Sequence, residues 1–243
     1  MILRTCSFFI LFSFVFNIVA QKNEDSRQKH NPGIFWYVHG WNYKKDRYLP
    51  KYDRLVLDIT YNDFSGDFSP FSQGYNSIGI NTNAIYDIPL NKKHTITFGT
   101  GLGMKFAHIE MIDKLKSEHG GVVNIIPKTV DDTYEKNKLI SSNVFVPFEL
   151  RFRSKGWQHV KFHLGAKLGF QTGLFSKMFF PDKNQNSKIN YSDKANRFTY
   201  SVHARFGIRN YAFYASYNLN PLFKNKKSTN LNWLQFGISI SLF

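Results

Sequence analysis

Cysteine is nearly missing from this chain. Of 243 residues only Cys6 carries a thiol, and it lies within the first twenty. That excludes a disulfide framework and a thiolate metal site; with the leader removed, it also excludes a cysteine nucleophile. Long apolar runs are missing too. Beyond the leader no stretch approaches the roughly 18 consecutive apolar residues that a spanning helix needs, so a helical membrane bundle is excluded. Acidic side chains are scarce, 17 against 32 Lys and Arg, for a formal charge of +15. What the chain has in quantity is aromatics: 25 Phe and 13 Tyr, too many for a solvated, disordered coil.

The N-terminus reads as an export leader. Arg4 supplies the positive charge, Phe8–Val19 the apolar stretch (broken by Ser13 and Asn17), and Ala20 a small residue before polar Gln21, Lys22 and Asn23. Cys6 precedes the apolar stretch instead of following it, so lipid attachment there is not expected. The organisation expected is a cleaved signal over 1–20, a polar and aromatic periplasmic lead-in over 21–52, and one barrel domain over 53–243. Ile34–Trp41, with Phe35, Trp36, Tyr37 and Trp41, is the aromatic part of the lead-in.

The dominant period is two. In Val160–Thr172 the even positions are Val160, Phe162, Leu164, Ala166, Leu168, Phe170 and Thr172, and the odd ones Lys161, His163, Gly165, Lys167, Gly169 and Gln171. Side chains of a strand alternate between faces, so this is one two-faced strand. The same pattern recurs around Leu57, Ile80, Met104, Phe148, Val202, Phe213 and Ile238, which makes eight strands. The connections alternate in length. Pro89–Lys93, Ser154–His159 and Arg209–Asn210 are short; Asn62–Gly74, Ile109–Lys138, Gly173–Asn196 and Asn220–Asn232 are long. With the N-terminus periplasmic, all short connections fall on the periplasmic side, the asymmetry of membrane barrels. The fold class is therefore all-β, an eight-stranded antiparallel up-and-down transmembrane β-barrel.

Alternation alone does not say which face is wet, since a soluble ligand-binding barrel also alternates. The glycines on the polar face favour the membrane form, because a narrow eight-stranded interior needs small residues between long polar ones. So does the placing of Tyr61, Tyr86, Phe106, Phe152, Tyr211 and Phe243 near strand ends, where aromatic girdles sit. Pro147 lies inside a strand that must pair on both edges, so a bulge or local break is expected there. Gly99–Gly103 holds three glycines inside an alternating strand; with no Lys-Ser/Thr ending and no following helix it is not a phosphate loop.

The polar face carries Lys105, Arg151, Arg153, Lys161, His163, Lys167, His203 and Arg205 against Asp58, Asp87 and Glu149. Eight strands leave room mainly for side chains, so the expectation is a filled interior in which Asp58 and Glu149 pair with Lys105, Arg151, Lys161, Lys167 or Arg205. Lys224, Lys226 and Lys227 in the last outer loop are candidate contacts for lipopolysaccharide phosphates or an acidic partner. His108, Glu110, Ser117 and His119 near one outer strand end are the nearest approach to a catalytic or metal set, without recognised spacing. No catalytic, cofactor or metal site is expected.

Asp53-Arg54-Leu55-Val56-Leu57-Asp58, Val146-Pro147-Phe148-Glu149-Leu150-Arg151-Phe152-Arg153, and Tyr217-Asn218-Leu219-Asn220-Pro221-Leu222-Phe223 leading into Leu234–Phe243 together resemble the PorT-type outer-membrane β-barrel proteins of Bacteroidetes-like bacteria. The resemblance runs from Asp53 to Phe243. It implies an eight-stranded outer-membrane barrel, one branch of the family serving a secretion and gliding apparatus, and it brings no catalytic motif. The function expected is that of an integral outer-membrane barrel acting as a structural or interaction protein, an accessory of a secretion or surface machinery. A small-solute or anion channel is the alternative, followed by a lipid-modifying enzyme and a soluble binding barrel. The partners expected are outer-membrane lipid, lipopolysaccharide and a membrane or periplasmic protein. Nucleic acid is excluded by export.

Overall fold

Strict alternation over ten or more residues commits each segment to an extended backbone with two chemically different faces, and eight such strands can bury one face by curling into a closed sheet. The computed structural model describes residues 34, 53–66, 74–155, 159–182 and 186–242, and the segments expected to be leader and lead-in lie almost wholly outside them. The strands are β1 (Leu55–Gly66), β2 (Ile78–Pro89), β3 (Ile96–Met111), β4 (Lys114–Ser117), β5 (Val123–Ile126), β6 (Lys136–Arg153), β7 (Val160–Phe179), β8 (Ser187–Asn190), β9 (Phe198–Ile208), β10 (Tyr211–Asn218) and β11 (Leu231–Ser241). Eight of them form the barrel in the ring order β1-β2-β3-β6-β7-β9-β10-β11, and β11 returns to β1 through Val56↔Ser241 to Gly66↔Leu231. All barrel pairings are antiparallel. Closure leaves no staple-like edge strand in the ring.

Burial follows parity. Along β2 every second residue from Gly79 to Asp87 is buried and its neighbours are exposed. The exposed set includes Ile80, Tyr86, Leu102, Phe106, Leu164, Leu168, Val202, Phe206, Phe213 and Ile238, so a band of large apolar side chains runs around the outside. A band of that extent is unsustainable in water and is what a barrel presents to lipid. This decides the orientation: apolar out, polar in. Among the expected girdle residues Tyr86, Phe106, Phe152 and Tyr211 are exposed and Tyr61 is half-buried; Phe243 lies outside the described residues.

At the extracellular end the pattern inverts. On β3 the outward face passes from Leu102, Met104 and Phe106 to His108 and Glu110, while the inward face turns from Lys105 to Ala107, Ile109 and Met111. β6 and β7 extend beyond the expected limits in the same way, starting at Lys136 and ending at Phe179. These lengths were hidden because the apolar face changes sides where the strand leaves lipid. On β7 a bulge adds to this: Ser142 pairs Gly173 and Asn143 pairs Gln171, so Thr172 is the extra residue, and the step turns Leu174 inward to full burial.

Pro147 produces a gap in pairing and no bulge. β3 and β6 keep one register, Thr100↔Phe148 and Gly103↔Phe145, with the ladder absent between them where proline has no N–H to donate. On its other edge Pro147 pairs Lys167 in an unbroken run.

The belt and the region above it predict different tolerances. Leu164→Arg, in the middle of the lipid face, should cost about 2–4 kcal/mol, and Ile140→Lys, above the belt, about 0–1 kcal/mol. Urea unfolding in phosphatidylcholine vesicles measures both; equal costs would refute the placement of the belt.

Candidate functional site

The barrel interior is a stack of polar layers. Among the described residues, four buried carboxylates, Asp53, Asp58, Asp87 and Glu149, face six buried cations, Lys105, Arg151, Arg153, Lys161, Lys167 and Arg205. Arg205, on β9, reaches across the lumen to β1 and β6. Its Nε and Nη2 donate to Asp58 Oδ1 and Oδ2 at 3.0 and 2.9 Å, and its Nη1 donates to Glu149 Oε1 at 2.5 Å. Asn83 Nδ2 adds a bond to Asp58 Oδ2 at 3.0 Å, and His203 Nε2 lies 2.9 Å from Glu149 Oε1. Arg151 carries the network toward the periplasm, with Nε donating to Glu149 Oε2 at 2.7 Å and Nη1 to Asp87 Oδ2 at 2.9 Å. At the mouth, Arg153 is paired with Asp87 at 3.3 Å, and Lys161 Nζ donates to Asp53 Oδ2 at 3.1 Å and Ser241 Oγ at 2.6 Å.

The register makes room for these groups. Glu149 is flanked by Gly99 on β3 and Gly165 on β7. A methyl group at Gly165 would stand 2.9 Å from Glu149 Cγ and 2.9 Å from His203 Cε1. The interior glycines are therefore the spaces into which the charged side chains fold.

Of the seven lumenal residues singled out in the sequence, Asp58, Glu149, Arg151 and Arg205 form one linked cluster, and Lys161 is tied to Asp53 below it. Lys105 and Lys167 stand apart, higher in the lumen, and form no ion pair among the described residues. Lys105 Nζ lies 4.4 Å over the Trp233 ring; Lys167 Nζ donates to the Tyr214 hydroxyl at 2.7 Å and sits 4.5 Å over Phe145. Asp53, a carboxylate at the mouth, was not singled out because it precedes the first alternating run.

Above the lysines the lumen closes. Trp233 is stacked edge-on against Phe64 at 5.1 Å and donates its ring N–H to Asn62 Oδ1 at 3.2 Å. Over it lies an apolar cluster that includes Ile109, Met111, Leu139, Leu174, Tyr191, Phe223 and Leu231. The outer connections supply much of this cluster and are bound to one another. Tyr191 Oη donates to Leu115 O at 2.7 Å, Val123 N to Ser228 Oγ at 3.0 Å, Lys224 N to Lys194 O at 2.9 Å, and Asn196 Nδ2 to Pro221 O at 2.7 Å. Lys194 Nζ donates to Ser117 Oγ. The β4–β5 hairpin turns at Gly120 and Gly121, both at positive φ.

The loop lysines sit on this outer body. Lys224, Lys226 and Lys227 are exposed, and Lys224 Nζ donates to Asp193 O at 3.0 Å. The enzyme-like set is dispersed. Glu110 is paired with Lys138 at 3.3 Å on the outer face of β3, and Ser117 is engaged by Lys194 on β4. The side chain of His119 lies outside what the structure describes.

This combination of an apolar girdle, a charged lumen and a sealed outer end coincides with a match, over residues 56–225, to the family model described as outer membrane protein beta-barrel domain. The chain belongs to that family. The barrel is thus an outer-membrane one. No curated relative matches it. Among solved structures it is similar to Ail, the attachment invasion locus protein of Yersinia pestis, and to Ail in complex with the heparin analogue sucrose octasulfate. The identities are 14% and 16%, with 76% of this chain and 95% of the other covered and a TM-score of 0.33 in each case.

Two outcomes follow. Arg205→Met leaves Asp58 and Glu149 buried without their shared cation and should cost about 3–5 kcal/mol, with part recovered in Arg205→Met/Asp58→Asn/Glu149→Gln. The urea midpoint of the barrel in vesicles reports both, and an unchanged midpoint in the single variant would refute the bridge. On the outer body, hydrogen bonds from Lys114 and Thr129 hold the Asp132 carboxyl down at about 2. A carboxyl depressed in the folded state stabilises above its ordinary value and loses that contribution as pH falls toward the folded one. Amide exchange at Thr129, whose N–H donates to Asp132 Oδ2 at 2.9 Å, should accelerate as pH drops from about 4 to about 2, beyond the change seen in Asp132→Asn.

Proposed function

We propose that this outer-membrane barrel is a structural and interaction protein whose outer body carries its function, as an accessory of a secretion or surface machinery. The observation that carries the reading is the interlocking of the outer connections over an apolar core. Loops that merely join strands in water have no reason to bury Leu115, Val123, Tyr191 and Phe223 together; a body built this way offers a fixed surface to a partner. The resemblance to PorT-type barrels supports the secretion side of the proposal.

The lumen supports it from the other direction. A conducting pore needs an open aqueous path, and here Arg205 spans the interior between Asp58 and Glu149 beneath a sealed apolar cap. The separate engagement of Glu110 and Ser117 speaks against a lipid-modifying enzyme. Lys177 and Lys188 face each other across the β7–β8 pair, and with Lys224, Lys226 and Lys227 they offer cations to lipopolysaccharide phosphates at the membrane's outer surface.

Crosslinking in native membranes tests this reading. A discrete protein adduct is expected that disappears when Leu115–Ile125 is replaced by a short Gly-Ser turn, while the barrel still migrates as a heat-modifiable folded species. Steady conductance of the purified protein in planar bilayers, with no adduct, would replace the accessory reading by the channel.

A further inference from the structure

Among the described residues the lumenal charges do not balance. Arg151, Arg153, Lys161 and Arg205 take all four carboxylates, and the two cations left over are neighbours in one chamber. Lys105 and Lys167, only 7% and 5% exposed, line a cavity of about 20 Å³ between the ion-pair network and the Trp233 floor of the cap. Asn143, Thr199, Ser201 and Ser216 are among its other walls, and none of its lining residues carries a carboxylate.

The oxygens lining the chamber, from Asn143, Thr199, Ser201, Ser216, Asn218 and Gln235, are all neutral. Lys105 Nζ finds no oxygen acceptor among the described residues; it has the face of Trp233 on one side and the chamber on the other. Thr199 Oγ1 accepts from Asn143 Nδ2 at 2.8 Å, which leaves its own O–H to be donated elsewhere. Tyr214 Oη already accepts from Lys167 Nζ at 2.7 Å and from Asn81 Nδ2 at 3.4 Å, so it cannot neutralise a second ammonium group. Two ammonium groups enclosed together repel each other, and burial of an unpaired charge is costly. A buried cation is normally retained only with a counter-charge. Among the described residues Lys105 has none at this level, and Lys167 has only the longer-range pull of Asp58 and Glu149, both already bonded to Arg205.

We infer that the Lys105–Lys167 chamber is a binding site for one small inorganic anion of chloride size. The ammonium groups of Lys105 and Lys167 supply the charge, and the hydroxyls of Thr199 and Ser216 line the remaining wall. The volume fits the ligand: a cavity of about 20 Å³ exceeds the roughly 10–15 Å³ needed for one water-sized particle, so one chloride-sized ion is accommodated. The anion is a fixed structural component that completes the charge balance of the lumen, so this site does not depend on the outer body having a partner.

The test is linkage between unfolding and anion. The full chain is refolded into phosphatidylcholine vesicles and unfolded by urea in sodium chloride or sodium gluconate at equal ionic strength. The folded-to-unfolded ratio should rise about tenfold for each decade of chloride above the dissociation constant and should not respond to gluconate. Lys105→Met should lose the chloride response and be at least as stable as the parent in gluconate, where the two lysines oppose each other unscreened. A purely structural lysine would instead lose stability equally in both salts, which overturns the site, as does a chloride response that survives the substitution. Should Lys105→Met not fold, Lys167→Gln is read by the same criteria. A parent indifferent to the choice of anion overturns the inference without any variant.

Discussion

Arg205 is the interaction on which the interior depends. It is the group that joins Asp58 on β1 to Glu149 on β6 through the space between them, and Glu149 passes the linkage to Arg151 and so to Asp87. An eight-stranded interior is just wide enough for side chains to fill it. Below Lys105 and Lys167 it is filled by paired charges, each of which has to meet its partner at bonding distance. The glycines flanking Glu149 follow from that demand, as does the buried fit of His203 against it. A one-residue slip of any strand would send its lumenal charges into lipid, so the network sets register as well as packing.

Membrane and extracellular parts of the molecule use one set of strands under opposite rules. In lipid the outward face is apolar and the inward face is charged. Above it the outward face carries His108, Glu110, Lys136 and Lys138, and the inward face turns to Ala107, Ile109, Met111, Leu139 and Leu174, with Asn137 and Ser176 bonded to each other among them. Trp233 stands where the two regimes meet. Its ring is shared between the apolar cap and the ammonium of Lys105, and its N–H is satisfied by Asn62. An indole suits such a boundary because it offers a large apolar face, a quadrupole for a cation and a single donor.

The barrel itself was legible in the alternation, because lipid and lumen impose opposite chemistry on successive residues for as long as a strand is in the membrane. The eight strands, their short and long connections and the pairing partners Asp58, Glu149, Arg151 and Arg205 all stand on that signal. The outer body was not legible, for three separable reasons. The apolar face changes sides at Phe106 and Ala107, so a search for one continuous face ends there. The bulge at Thr172 shifts parity within a strand whose composition does not change. Tyr191, Leu222 and Phe223 lie in segments whose lysines, asparagines and serines read as solvated loop, and their burial arises only when connections far apart in the chain come together. The chamber of Lys105 and Lys167 was hidden for a related reason: residue types predicted cations facing carboxylates, and only the geometry shows which cations the four carboxylates reach.

The bonding of the outer connections to one another has an immunological corollary. Tyr191, Leu115, Asn196, Pro221, Ser228 and Val123 are neighbours in space and scattered over more than a hundred positions of sequence. The face this protein turns to the outside is a composite of segments, none of which reproduces it alone. Antibodies raised against the folded barrel would therefore recognise discontinuous epitopes, and antibodies raised against linear loop peptides would be directed at shapes the assembled surface does not display.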